Sequence, residues 1–258
     1  MTPFLAYEDK GAHNSTALPL VLIHGHPFDR TMWAPQVAAF SPGRRVIAPD
    51  LRGYGASPVV PGTTPLSVFA TDVAALLDDL RVPECVLGGL SMGGQIVMEF
   101  CSLFPERVRG LVLADTFPAA ETPAGKRSRN ATADRLLREG MGGYAEEVLF
   151  KMVAPYARAE VAETVLRMMT GTPVEGAAAA LRGRAERPDY RELLTRVGVP
   201  TLVVVGEDDE YTPVEEARAM HEAVPGSTLC VVRGAAHMPN LEQPESFNQA
   251  LTDLLTHV

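Results

Sequence analysis

Residues 88–94 read GGLSMGG, a serine held among four glycines directly after the apolar pair Val86-Leu87. Glycine inside a regular element costs about 0.5–1 kcal/mol relative to alanine, so four of them around Ser91 need a geometric reason. A strand that turns directly into a helix provides one. The residue at the apex takes a strained backbone conformation, and Gly89 and Gly93 remove the Cβ atoms that would collide beneath it. The turn lifts the Ser91 hydroxyl above the sheet. The following helix aims its first amides and the positive end of its dipole at the same point. The pentapeptide Gly89-Leu90-Ser91-Met92-Gly93 in a strand–helix setting therefore marks Ser91 as a candidate nucleophile. The plain alternative is a helix N-cap serine followed by close-packing glycines.

The flanking pattern supplies that setting. Compact apolar runs at Leu20–Ile23, Val46–Ala48, Glu84–Leu87, Val108–Ala114, Thr201–Val205 and Thr228–Val232 alternate with helical spacing. Leu66, Phe69, Val73, Leu76, Leu77 and Leu80 form one face of a helix, and Ile96, Val97, Phe100 and Phe104 form another that stops near Pro105. Apolar strands without alternation, separated by amphipathic helices, predict an α/β fold with a mostly parallel central sheet covered by helices on both faces. Between about Phe117 and Thr195 the strand rhythm lapses, and helix formers are punctuated by Pro123, Gly142-Gly143, Pro155, Gly171 and Pro173. That stretch reads as a helical cap insertion, residues 118–195, in a core built from residues 1–117 and 196–258. Its basic cluster of Lys126, Arg127 and Arg129 reads as solvated surface.

The 258 residues carry a formal net charge of −9, and an acidic surface argues against a nucleic-acid partner. Cys85, Cys101 and Cys230 are far apart with no CxxC pair, so neither a metal site nor a redox pair is expected. No apolar run approaches the roughly 18 residues of a membrane span. MTPFLAYEDK at 1–10 lacks the basic and apolar regions of a signal peptide. The expectation is a soluble cytoplasmic protein with no membrane partner.

A serine hydroxyl needs a base, and the base needs an orienting group. His237 lies in GAAHMPNLEQP at 234–244, after the run Thr228–Val232. It therefore falls beyond the carboxyl end of a strand, on the same rim as Ser91. His13, His221 and His257 read as surface residues. VVVGEDDEYTP at 203–213 offers Asp208, Asp209 and Glu210. Asp209 is taken as the acid with Asp208 as the fallback, since side-chain chemistry alone does not separate them. Asp115, after the run Val108–Ala114, is a second fallback whose plainer role is to cap nearby amides.

Five segments carry a resemblance: LIHGHPFD at 22–29, PDLRGYGAS at 49–57, GLSMGG at 89–94, GEDDEYTP at 206–213 and GAAHMPNLEQPE at 234–245. With them the chain resembles the α/β-hydrolase superfamily over nearly its whole length, and the order Ser–Asp–His is that superfamily's order. MTGTPVEGAAAALRGR at 169–184 resembles the small-cap branch of 3-oxoadipate enol-lactonases, carboxylesterases and cofactor-free haloperoxidase/perhydrolase relatives. The resemblance implies the α/β-hydrolase fold with a helical cap. It favours Asp209, three residues after Gly206, as the acid. It implies an oxyanion hole made by the amides of Met92 and His26, each donor typically worth ~3–4 kcal/mol of barrier. Relatives often carry an aromatic residue where His26 stands, so this pocket is expected to be more polar, with the His26 side chain a candidate donor to substrate. Phe28, Trp33 and Met238 are expected to line the pocket, while Asp50 and Arg52 organise a loop. Met141, Tyr144, Met152, Met168 and Met169 form either an apolar acyl site or the insertion's own core.

These parts predict hydrolysis of a small-molecule carboxylic ester or lactone through an acyl-enzyme on Ser91, with no cofactor or metal. A serine at the elbow argues against the dehalogenase and epoxide hydrolase chemistry that similar folds run from aspartate. Thioester hydrolysis, C–C bond hydrolysis and perhydrolysis use the same triad. From a different class, a ligand-binding module with a vestigial triad is the remaining reading.

Overall fold

A strand that is apolar on both faces can be buried only inside a sheet that is covered on both sides, and the apolar runs assemble accordingly. The computed structural model describes residues 5–12 and 15–258, so His13 lies outside the described residues. Among those, seven strands form one sheet: β1 (Tyr7–Lys10), β2 (Leu20–Ile23), β3 (Val46–Pro49), β4 (Cys85–Leu90), β5 (Val108–Ala114), β6 (Thr201–Gly206) and β7 (Thr228–Val232). Their spatial order is β1-β3-β2-β4-β5-β6-β7. β1 runs antiparallel to β3, and every other pairing is parallel.

Helices make the crossovers. α1 (Ala34–Phe40) links β2 to β3, α2 (Leu66–Asp79) links β3 to β4, and α3 (Met92–Leu103) links β4 to β5. Between β5 and β6 the chain is helical, with α4 (Pro123–Glu139), α5 (Gly142–Met152), α6 (Ala159–Gly171), α7 (Val174–Ala185) and the short α8 (Arg191–Leu194). α9 (Val214–Ala223) precedes β7, and α10 (Pro239–Glu242) and α11 (Pro244–Leu255) follow it. Successive strand residues feed opposite sides of the sheet. Val21, Leu87, Leu113 and Val203 pack with α2, α3 and α9 on one side. Leu20, Val86, Val112 and Leu202 pack with α1 and α11 on the other. No helix among the described residues is long and apolar enough to cross a membrane.

Two strand assignments differ from the sequence reading by more than one residue. β1 is an unanticipated edge strand, because Tyr-Glu-Asp-Lys carries no apolar run. It is held by its ladder to β3 and by Arg45, whose Nε and Nη2 donate to the two carboxylate oxygens of Asp9 at 3.0 and 2.7 Å. β4 continues three residues past Leu87 through Gly88 and Gly89, which pair with Val112 and Leu113 of β5.

The β5–β6 helices reach the core through backbone contact. On α7, a Cβ at Gly176 would lie 2.6 Å from the Gly53 Cα, and one at Gly183 would lie 2.9 Å from the Pro65 nitrogen and collide with the Thr64 carbonyl. Between them, the Thr64 N–H donates to the Ala179 carbonyl at 3.0 Å. Just before α7, the Thr172 hydroxyl donates to the Pro27 carbonyl at 2.8 Å. Gly183→Ala should therefore lower stability by about 1–3 kcal/mol through overpacking, read as a drop in the urea midpoint. Gly142→Ala, where a Cβ meets nothing within 4 Å, should leave the midpoint unchanged or raised; equal losses for the two would mean that α7 does not dock as described.

Candidate active site

Strand order reverses direction between β2 and β4, and the crevice beyond the carboxyl ends of such strands is where open α/β sheets bind ligands. Ser91 sits there, between the end of β4 and the start of α3, with φ 57° and ψ −116°. A left-handed φ at a non-glycine residue costs energy and is retained where the surroundings over-determine it. Here the Ser91 N–H donates to the Ala114 carbonyl at 2.9 Å, and its carbonyl accepts from the Gln95 N–H at 3.2 Å. The Thr116 hydroxyl also donates to the Ser91 carbonyl, at 2.8 Å. Below the turn there is no room for side chains. A Cβ on Gly89 would lie 2.8 Å from the Gly94 nitrogen, and one on Gly93 would lie 2.8 Å from the His24 carbonyl oxygen.

His237, in the loop between β7 and α10, is buried, and its Nδ1 lies 2.8 Å from Asp209 Oδ2. A carboxylate only accepts, so Nδ1 carries the hydrogen and Nε2 is left as the free acceptor. Asp209 Oδ1 accepts from the Tyr211 N–H at 2.8 Å, and the Tyr211 ring meets the His237 ring edge-on at 5.2 Å. Ser91 and His237 line one cavity of about 190 Å³. Of the fallback acids, Asp208 binds the Tyr156 hydroxyl at the surface rather than a histidine.

Asp115 is fully buried beside this pair, with φ 45°. Its Oδ1 accepts from the Gly206 N–H at 2.9 Å. Asp115, Asp209 and His237 each present an atom within 4.8 Å of the others. His237 and Asp209 are already hydrogen-bonded to each other through Nδ1 and Oδ2. Burial first, then the neighbouring Asp209 carboxylate, pushes the Asp115 carboxyl well above the usual carboxylate range. A hydrogen retained on Asp115 Oδ2 faces Asp209.

The segment His24-Gly25-His26 follows β2 directly. His24 Nε2 accepts from the Leu51 N–H at 2.9 Å, so its Nδ1 carries the hydrogen and donates to the Gly25 carbonyl at 2.8 Å. Gly25 presses on the elbow: a Cβ there would lie 2.9 Å from the Leu90 carbonyl oxygen and 3.2 Å from Ser91 Cβ. This close approach brings the His26 backbone beside Ser91, while Met92, as the first residue of α3, has an amide with no intrahelical acceptor. His26 is buried in the cavity wall with Nδ1 2.8 Å from the Tyr54 hydroxyl. Burial, then the Arg184 and Arg129 charges, holds its pKa well below the ordinary imidazole value, so it is neutral.

The cavity wall differs from expectation. Phe28, Trp33 and Met238 are fully buried in the core on the α1–α11 side of the sheet and do not line the cavity. Trp33 packs against Phe247 of α11 at 6.0 Å between ring centroids; large apolar side chains near the rim are drawn into the core. The β5–β6 helices supply the wall instead, through Arg129, Tyr144, Met152, Leu181 and Arg184. Of the insertion's candidate residues, Tyr144 and Met152 reach the cavity, whereas Met141, Met168 and Met169 fill core clusters. Arg129 is not plain surface: it lines the cavity and pairs with Glu121. Asp50 accepts from the Arg30 and Ala56 N–H groups at 2.8 Å each, and Arg52 pairs with Asp72, so both organise loops as expected. His221 binds Ser227 and His257 binds the Asp253 carbonyl, both away from the cavity.

Comparison with known proteins agrees with this architecture. A family model described as the alpha/beta hydrolase family matches residues 20–250. A thermophilic esterase from Thermogutta terrifontis, solved with malate bound, superposes with a TM-score of 0.94 at 42% identity, covering 98% of this chain and 94% of that one. The 3-oxoadipate enol-lactonase 2 of Acinetobacter baylyi is 32% identical over 86% of this chain and 82% of its own length. An enol-lactonase from Burkholderia xenovorans superposes with a TM-score of 0.88 at 28% identity, covering 98% of this chain and 96% of that one.

The raised Asp115 carboxyl has a measurable consequence. The native state holds a proton that the unfolded chain releases above about pH 4, so this group makes stability fall as pH rises from there through its native pKa. Asp115→Asn keeps an acceptor for Gly206 and a donor toward Asp209 without titrating, so its melting temperature should gain on the native protein's across that rise in pH. Asp115→Ala orphans the Gly206 N–H and should cost about 1–3 kcal/mol. Thermal melts from pH 4 to 8 decide the matter, and parallel curves for the native protein and Asp115→Asn would refute it.

Proposed function

Since this chain belongs to the α/β-hydrolase family, we propose that it cleaves a carboxylic ester or lactone through an acyl-enzyme on Ser91. The observation that carries the reading is the strained Ser91 turn, which shares a cavity with a histidine whose far nitrogen is engaged by a buried carboxylate. In the first step His237 Nε2 takes the Ser91 proton as Oγ attacks the acyl carbon. The amides of Met92 and His26 receive the oxyanion. The leaving alcohol departs with the proton from His237, and water repeats the sequence on the acyl-enzyme. Asp209 holds the tautomer and stabilises the imidazolium.

Residues 118–195 act as the cap over a core of residues 1–117 and 196–258. The cap lies over the core at α7, and near its middle the Ala154 N–H donates to Glu242 Oε2 at 2.8 Å. The substrate is a small molecule, because the cavity of about 190 Å³ falls below the ~300–1,000 Å³ of pockets for drug-sized ligands.

Ser91→Ala should lower kcat/KM for 4-nitrophenyl acetate by at least ~10³-fold with an unchanged melting temperature, and it should abolish labelling by a fluorophosphonate probe. Normal turnover by Ser91→Ala would sink the assignment. Across 4-nitrophenyl esters, acetate and butyrate should exceed octanoate by about tenfold or more in kcat/KM, because a long chain does not fit the cavity; a rising series would show the cavity to be misread.

A further inference from the structure

The cavity contains a charge that ester hydrolysis leaves without a role. Arg184 is 7% exposed and forms part of the cavity wall. Its Nε donates to Gln95 Oε1 at 3.1 Å. Its two terminal amino groups have no hydrogen-bond partner, and no carboxylate pairs with it, among the described residues. Arg129 and Arg187, whose charges act on Arg184, share Glu121 between them. Burial pushes the Glu121 carboxyl up, but hydrogen bonds from those two guanidiniums outweigh it and hold the group down at about 2. Two guanidiniums thus share one carboxylate, and Arg184 takes no part in that pairing. Burial, then the Arg129 and Arg187 charges, works against its charged form. A buried cation of this kind is ordinarily paired, so the counter-charge has to come from the ligand.

The guanidinium is also held in place. Gln95 lies one turn beyond Ser91 on α3, so the Arg184–Gln95 bond ties the charge to the helix that the nucleophile begins. The preceding residue, Gly183, is packed directly on the Thr64–Pro65 backbone. The free edge of a guanidinium matches a carboxylate in a two-bond fork.

We propose that Arg184 binds a free carboxylate on the substrate, so that the natural ester or lactone carries a second acid group on a short chain. This rests on the reading of Ser91 as the nucleophile, and it assigns the specificity of that site. Monoethyl glutarate and its neutral near-isostere ethyl 5-oxohexanoate separate the two claims when ethanol release is followed. The native protein should prefer the anionic ester by about 10- to 100-fold in kcat/KM. Arg184→Gln should bring that ratio to about one, and Arg184→Lys, which keeps charge but not the fork, should leave it in between. In a Ser91→Ala background, calorimetry should show monoethyl glutarate binding, weakened about tenfold or more by Arg184→Gln. Turnover of both esters without preference, or a ratio that survives Arg184→Gln, overturns the carboxylate site while leaving the hydrolase reading intact. Arg184-dependent binding with no turnover of either ester overturns the hydrolase reading and upholds the anion site.

Discussion

Beneath Ser91, backbone packs on backbone. The turn from β4 to α3 is so tight that the Gly89 and Gly93 positions face main-chain atoms of neighbouring segments at distances no Cβ could occupy. Three hydrogen bonds brace the left-handed serine, two received by its carbonyl from Gln95 and Thr116 and one given by its N–H to Ala114. Because the turn also abuts Gly25, the loop after β2 is drawn to the same place. The position of Ser91 and of the backbone beside it is thus settled by one packing constraint. The histidine and its carboxylate come from loops after β7 and β6, whose rims the parallel sheet aligns with β4.

The electrostatics of the cavity run against those of the whole molecule. The chain is acidic overall, with a net charge of −9, yet the space above Ser91 is bordered by Arg129 and Arg184. Their field helps to keep His26 neutral. Asp115 supplies the opposite asymmetry behind the histidine. A carboxyl that gives up its proton late sits against Asp209, so the second carboxyl adds a hydrogen-bonding partner there instead of a second negative charge.

Most of the sheet was legible because β2 to β7 are short apolar runs and their register places Leu20 and Val21, or Val86 and Leu87, on opposite faces. β1 escaped because an edge strand with one neighbour needs no apolar run. The motif segments placed Ser91, Asp209 and His237 near one another, since each follows a strand end and strand ends of a parallel sheet share a rim. The cavity wall was not legible in the same way. Phe28, Trp33 and Met238 looked like pocket residues by adjacency to motifs, but adjacency along the chain does not say which side of the rim a side chain takes. Arg129 carries no motif, and Arg184 only ends the 169–184 segment; helical spacing puts Leu181 and Arg184 on one face of α7, but only the docking of α7 shows what that face looks onto.

That docking has a bearing on how pockets of this design diversify. α7 is seated by glycines against main chain at Gly53 and Thr64, an arrangement that tolerates no drift. Tyr144 and Met152, on α5, meet the cavity through side chains alone. Part of the chamber's shape is therefore set on a helix other than the one that carries Arg184. Substitutions along α5 can enlarge or narrow the chamber while the guanidinium stays where it is, so new substrates of different bulk are open to this scaffold before new substrates of different charge.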